Sequence, residues 1–438
     1  MISLGCAKNQ VNAEQMLFRL QEAGYRISGD PVGADLVVVN TCGFIDSAKE
    51  EAIQHILEMA ALKEQGLVGK ILVTGCLAQR YQHEILQEMP EVDGVLGTGS
   101  YYTIAAAAAQ VLDGGAVEEY GDINAPVDET GRILTTPEHY AYLTIAEGCD
   151  NHCSYCIIPK LRGKYRSRAM DDILYEARTL AANGVKELIV VAQDTSRYGM
   201  DLEGRHMLPE LLHKLCEIDG IHWIRIHYLY PEDTTDEIID AVASEPKIVK
   251  YLDIPIQHIN DTILKKMNRR GTKSDILTLF RKLRERIPGV VLRTSLIAGL
   301  PYEDEAAFTE LCEFLKEQKL ERAGAFVFSP EEGTAAAKMD YPPHEIAQRR
   351  AELIEELQGR IMDEYNDSLI GTRLEVLCEG YDTEQALYYG RSFADSPDID
   401  GRVWFTSEQS VPVGTFVNVF IGEIFENDPV GAQIMEEN

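Results

Sequence analysis

Along residues 1–113, short apolar runs alternate with longer stretches whose apolar positions recur every three to four residues. The runs 35–39, 70–73 and 94–96 read as strands, and 9–24, 46–65, 78–88 and 101–113 as helices. A strand–helix repeat of this kind predicts a parallel sheet. From 114 to 137 the period breaks into Gly, Pro, Asp and Glu, which reads as a connector. A second series begins at Tyr140, with strands at 142–145, 188–191, 223–227, 252–256, 290–297 and 325–328. Six such units predict an open six-unit parallel barrel whose ligands gather at the carboxyl ends of its strands. A long polar helix over 343–368 closes it. After Gly371 the helical period gives way to alternating runs such as 374–377, 403–405 and 415–421, which predict a small antiparallel barrel. The expected class is α/β, divided into an N-terminal βα domain (1–113), a linker (114–137), the six-unit domain (138–368) and the small barrel (369–438).

Composition narrows the function classes. With 45% hydrophobic and 26% charged residues, the 438-residue chain is globular rather than disordered. No run approaches the eighteen apolar residues of a membrane span, and the first residues have neither the basic head nor the apolar stretch of a signal peptide. The expected compartment is the cytoplasm, where nine cysteines serve metal, cluster or core rather than disulfides. A net charge of −31 repels nucleic acid and acidic membranes at long range, so basic or neutral partners are expected. A local basic patch could still hold phosphate.

The cysteines carry the chemistry. Cys149, Cys153 and Cys156 form C-x3-C-x2-C directly after the first strand of the six-unit series. A [4Fe–4S] cluster normally takes four protein thiolates, so three leave one iron open to a small molecule. A structural zinc site would instead show two matched C-x2-C knuckles. Cys6, Cys42 and Cys76 each end a predicted strand, at separations of 36 and 34 residues, about one βα unit. In a parallel sheet those ends share one edge, where a second three-thiolate cluster could form. Three independent small hydrophobes are the alternative. Cys216 and Cys312 fall in helical stripes and read as core thiols, and Cys378 shows no comparable pattern.

The C-x3-C-x2-C loop, Tyr155 before its last cysteine, and the six βα units resemble the radical S-adenosylmethionine superfamily. That resemblance implies S-adenosylmethionine on the open iron and reductive cleavage of its sulfonium to a deoxyadenosyl radical. The two triads and the C-terminal barrel together resemble the methylthiotransferase family along nearly the whole chain: a cluster domain, a radical S-adenosylmethionine domain and a TRAM domain. Within it, Ser3-Leu4-Gly5-Cys6-Ala7-Lys8-Asn9, Ile145-Ala146-Glu147-Gly148-Cys149, Gln193-Asp194-Thr195-Ser196-Arg197-Tyr198-Gly199, His227-Tyr228-Leu229-Tyr230-Pro231 and 251–258 look like the ribosomal-protein branch. Ala7, Asn12-Ala13-Glu14 and Tyr302 depart from the family pattern, and none touches a cysteine.

The resemblance implies two [4Fe–4S] clusters, on Cys6, Cys42, Cys76 and on Cys149, Cys153, Cys156, with S-adenosylmethionine as cofactor. It further implies transfer of a methylthio group to the β-carbon of an aspartate in ribosomal protein S-twelve. The implied partners are that protein, free or in the small subunit, and a low-potential donor such as flavodoxin or ferredoxin, with no membrane and no nucleic acid as direct substrate. Tyr155 is implied at the cofactor; Gln193 and Asp194 face its methionyl end, or Asp194 caps a helix instead. Gly299 and Pro301 approach adenosine, and Glu303 is placed there or caps the next helix. The cations Lys160, Arg162, Lys164, Arg166 and Arg168 read as a solvated basic loop, or Arg168 holds a carboxylate of cofactor or substrate. A transfer-RNA methylthiotransferase and a non-catalytic ribosome-binding factor are the competing readings. Residues 369–438 carry thirteen acidic against three basic side chains, net −10, which suits docking of a basic protein or merely keeps the chain soluble.

Overall fold

The computed structural model describes residues 1–127 and 131–434. Strands Ile2–Ser3, Leu36–Thr41, Lys70–Gly75, Gly94–Gly99 and Val117–Gly121 lie in that order in one sheet, and every ladder is parallel. Such a sheet must be covered on both faces. Ala52, Ile56 and Met59 of helix Asp46–Glu64 pack on one face, and Met16 of helix Ala7–Glu22 with Ala107 and Val111 of helix Ile104–Leu112 pack on the other.

Two expectations change here. Val117–Gly121, inside the predicted connector, is one of the two edge strands; only Val117 is buried, so its sequence carries almost no apolar signal. The predicted helix 78–88 is two helices, Cys76–Tyr81 and His83–Glu88, broken where Gln82 turns to φ +48°.

The second sheet has six parallel strands in sequence order: Tyr140–Thr144, Glu187–Val191, Trp223–Ile226, Ile248–Asp253, Val291–Ala298 and Arg322–Val327. The first and last do not pair, so the barrel is open. Ile248–Asp253 begins before the predicted 252–256 because the buried run continues past the ladder through Ile254 and Ile256, with Pro255 lacking an N–H between them. Among the described residues no helix is long and apolar enough to cross a membrane.

Strands Arg373–Asp382, Leu387–Arg391, Val403–Thr406, Phe416–Phe425 and Asp428–Gln433 close a small barrel. It is not wholly antiparallel, as the sequence pattern suggested: Val403–Thr406 runs parallel to Asp428–Gln433. Alternation reports which face is buried, and that is the same whichever way a neighbour runs.

This small barrel is fastened to the larger one through charges that neither could bury alone. Glu187 and Arg225 are fully buried on adjacent strands, with Arg225 Nε 2.7 Å from Glu187 Oε1. Arg391 of the small barrel reaches Glu187 Oε2 and Glu379 Oε1, both at 2.7 Å. The following segment adds Arg322–Asp395 at 3.0 Å, Tyr251 OH to Asp400 at 2.7 Å, and Ser396 Oγ to His227 Nε2 at 3.0 Å. Burial alone would raise the Glu187 carboxyl, but Arg391 and Arg225 outweigh it and push it down to about 2.

Because the folded-state value lies below the ordinary 4.5, this contribution is complete above about pH 4.5 and is lost as pH falls toward 2. We expect Glu187→Gln, which leaves the buried Arg225 guanidinium without a carboxylate and takes one of two from Arg391, to destabilise the chain by about 3 kcal/mol at neutral pH. Thermal unfolding of both proteins at pH 7 and pH 3 checks this; the gap in Tm should shrink in acid, and a constant gap would contradict the assignment.

Candidate functional site

Each cysteine of the N-terminal set sits where a parallel strand ends. Cys6 occupies the N-cap of helix Ala7–Glu22, Cys42 follows Leu36–Thr41, and Cys76 opens helix Cys76–Tyr81. Two glycines let these loops touch. A Cβ on Gly5, which has φ +88°, would stand 2.7 Å from Cys42 Cβ, and one on Gly43 would stand 2.8 Å from the Leu77 nitrogen. The buried Asn9 amide ties the loops together: its Nδ2 donates to the Leu4 and Thr41 carbonyls at 2.9 Å each, and its Oδ1 lies 3.8 Å from Cys76 Sγ. Burial and then the neighbouring Cys76 and Cys6 push the Cys42 thiol up to about 12, as expected of sulfurs gathered at one place. Burial also raises Cys76. Desolvation opposes ionisation of Cys6 too, but Lys8, Arg162 and the Asn9 and Lys8 N–H groups outweigh it and hold that thiol below its ordinary value.

The second set occupies one loop at the carboxyl end of the barrel. Ser154 anchors it, its N–H donating to the Met267 carbonyl at 3.0 Å and its carbonyl accepting from the Ala336 N–H at 2.8 Å. The Asn151 amide donates to Asp194 Oδ2 at 2.7 Å. Tyr230 OH lies 3.7 Å from Cys153 Sγ, and the Arg269 guanidinium lies over the Tyr230 ring at 4.0 Å. Tyr155 packs into a cluster with Ile263, Met267, Leu300 and Phe328. Burial pushes Cys149 up to about 11 and raises Cys156 as well, the latter with help from the charge of Cys153.

Sequence reasoning missed what joins the two sets. Ile157 and Leu161, just past Cys156, pack directly on Cys76. Arg162, only 3% exposed, donates to Asn9 Oδ1, to Asn12 Oδ1 at 2.7 Å and to Glu147 at 3.3 Å, and Glu147 in turn accepts from Gln193 Nε2 at 2.7 Å. A continuous polar chain therefore runs from the Cys76 end of one sheet to the second strand end of the other. The five-cation run hid this, since its members part company: Lys160 donates to the Gly333 carbonyl at 2.7 Å, and Arg166 donates to the Lys164 carbonyl at 2.6 Å. Arg168 lies 2.6 Å from Glu176 and donates to the Thr144 carbonyl at 2.6 Å, so one carboxylate it holds is the chain's own.

The remaining expected residues are accounted for by contacts within the fold. Asp194, raised by burial, caps no helix and binds Asn151 and Ser196. Gly299 is demanded by helix His344–Asp367, because a Cβ there would meet Ala347 Cβ at 2.2 Å. Pro301 lies in the turn after Val291–Ala298, and Glu303 closes that turn, accepting from the Gly299 N–H at 3.0 Å and from Arg350 at 2.9 Å. Asp304, not Glu303, caps the next helix.

All six cysteines are free thiols. Among the described residues no three His, Cys, Asp or Glu side chains form a group that could close around one metal ion. Three soft thiolates in each set fit a cluster that takes one thiolate per iron and leaves a fourth iron for another ligand. In iron-free protein, iodoacetamide at neutral pH should alkylate Cys6 before Cys42 and Cys76, and Arg162→Met should slow Cys6 by about threefold. Mass spectrometry of timed samples reads both; equal rates at the three positions would overturn the electrostatic account.

Comparison with known proteins agrees with this fold. Residues 1–97 match the Uncharacterized protein family UPF0004, 143–315 the Radical SAM superfamily, and 370–434 the TRAM domain. The chain is 48% identical to the ribosomal protein uS12 methylthiotransferase RimO of Lachnoclostridium phytofermentans and 47% identical to that of a Thermoanaerobacter species, covering 98% of each chain in both cases. Among solved structures, the radical S-adenosylmethionine methyltransferase TsrM of Kitasatospora setae, solved with cobalamin and a [4Fe–4S] cluster, superposes with a TM-score of 0.52 at 16% identity. It covers 73% of this chain and 68% of its own, a likeness of fold. Matched from end to end by relatives at nearly half identity, the chain belongs to the RimO family of ribosomal protein uS12 methylthiotransferases.

Proposed function

We propose that this chain adds a methylthio group to the β-carbon of an aspartate in ribosomal protein uS12, with S-adenosylmethionine and two [4Fe–4S] clusters. The observation that carries the reading is the pairing of two three-cysteine sets across the Ile157–Leu161–Cys76 contact and Arg162. When bound, a three-thiolate cluster supplies an open iron for S-adenosylmethionine and one electron to cleave it. Cys149, Cys153 and Cys156 would hold that cluster, with Asp194 fixing their loop through Asn151. Cys6, Cys42 and Cys76 would hold the second, where sulfur is delivered, with Asn9 fixing the strand ends. The barrel encloses the reaction, Tyr155 and Gln193 border the cofactor, and a low-potential flavodoxin or ferredoxin in the cytoplasm supplies electrons.

The small barrel is the docking surface for uS12. Arg391, Glu379, Asp395 and Asp400 are withdrawn into contacts with one another or with the larger barrel, and exposed Glu375, Glu384, Asp398, Glu408, Glu423 and Glu426 against exposed Arg373 and Arg402 leave the surface acidic. A barrel that gripped transfer RNA would carry exposed cations to neutralise phosphates.

Anaerobic reconstitution should yield two clusters. Replacing Cys149, Cys153 and Cys156 by Ala should remove one and abolish deoxyadenosine formation. Replacing Cys6, Cys42 and Cys76 should remove the other and stop methylthiolation while deoxyadenosine formation continues. Iron analysis and chromatography read these outcomes, and one cluster in the unaltered protein would sink the second triad's role. Separately, changing the exposed Glu384, Glu408, Glu423 and Glu426 to Gln should weaken binding of full-length protein to uS12 at low salt and flatten its salt dependence. Tight salt-sensitive binding to transfer RNA, with none to uS12, would favour a transfer-RNA substrate.

A further inference from the structure

Among the described residues, Lys8 is a buried cation with no carboxylate partner. It lies in the first turn of helix Ala7–Glu22, two residues after Cys6, and is 7% exposed. Its Nζ donates to the Ala192 carbonyl at 3.2 Å, at the end of the second barrel strand, and lies 4.3 Å from the centroid of the Tyr228 ring, at the end of the third. Those partners are a neutral carbonyl and a π face. Among the described residues, of the buried cations around it, Arg225 and Arg391 share Glu187, Arg293 has Asp253 at 2.8 Å, Arg322 has Asp395 and Arg162 has Glu147, whereas Arg269, like Lys8, rests on a carbonyl and a tyrosine ring. An ammonium held out of water without an anion is costly, and the cost is relieved by an anionic ligand. Tyr228 itself is held at φ +61°, a conformation uncommon outside glycine that is often kept at ligand sites.

We propose that Lys8, backed by Tyr228 and the Ala192 carbonyl, is the binding site for the carboxylate of the substrate aspartate. This rests on the uS12 reading above and goes beyond it by naming the group that recognises the reacting side chain. The position suits the chemistry. Lys8 lies two residues after Cys6, and its Nζ sits on the carbonyl of Ala192, two residues before Asp194, which holds Asn151 of the Cys149–Cys156 loop, so a carboxylate there lies next to elements that carry both cysteine sets. An ammonium also distinguishes aspartate from asparagine, which offers no charge to pair. S-adenosylmethionine carries a carboxylate too, and the experiment must separate the two sources.

The test uses reconstituted full-length enzyme and measures Kd for uS12, for uS12 with the target aspartate changed to asparagine, and for S-adenosylmethionine. Unaltered enzyme should bind the aspartate form about tenfold more tightly than the asparagine form. Lys8→Met should reduce that ratio to near one, Lys8→Arg should retain most of it, and affinity for S-adenosylmethionine should be unchanged in both. Three results would overturn the proposal: a ratio near one in the unaltered enzyme, which needs no variant to fold; a ratio that survives Lys8→Met; or loss of S-adenosylmethionine affinity with the ratio intact. Failure of the unaltered enzyme to bind either form of uS12 would instead remove the functional reading on which the proposal stands.

Discussion

The arrangement of this molecule depends on one buried guanidinium. Arg162 leaves the cluster loop of the barrel and ends among Asn9, Asn12 and Glu147, three side chains of which two belong to the N-terminal sheet unit. A buried charge must be satisfied where it lies, so this contact fixes more than a distance; it fixes the register of one sheet edge against the other. Asn9 passes that constraint to the strand ends that carry the cysteines, and Glu147 passes it to Gln193. Apolar contacts between Cys76, Ile157 and Leu161 supply adhesion, but hydrophobic burial is not directional and would tolerate sliding.

The same device recurs at the opposite end of the barrel. Glu187 and its two arginines bind the C-terminal barrel to the larger one, and the segment from Ser392 to Asp400 fills the space between them with hydrogen-bonded groups. Both junctions use charges that would be expensive if the partner unit were absent. The three parts are thereby held in defined positions against one another. That matters for chemistry in which sulfur, cofactor and a protein side chain must meet, since small misplacements are costly in rate.

Much of this was legible from residue order. The six barrel strands, the N-terminal βα repeat and the C-terminal barrel follow from apolar periodicity, which reports burial and therefore strand or helix. The cysteine sets were visible because spacing reveals them: three in one short loop, and three at matching strand ends. Val117–Gly121 was invisible because an edge strand buries one residue in five, leaving no pattern to read. The parallel ladder of the small barrel was invisible because alternation is blind to the direction of a neighbour.

The sequence by itself determined which residues could be chemical and on which kind of element each would sit, because those properties are local. Only the tertiary structure decided what each charged group faces. Five cations within nine residues look alike in sequence, yet Arg162 is buried between two sheets, Arg168 is held by Glu176, and Lys160 reaches a loop carbonyl. Lys8 looks like one more surface lysine until the barrel closes over it and leaves it with a carbonyl and an aromatic ring. The physical reason is that the energy of a charge depends on the groups within a few ångströms, and for Lys8 and Arg162 these include Ala192 and Asn12, which lie 184 and 150 residues away along the chain.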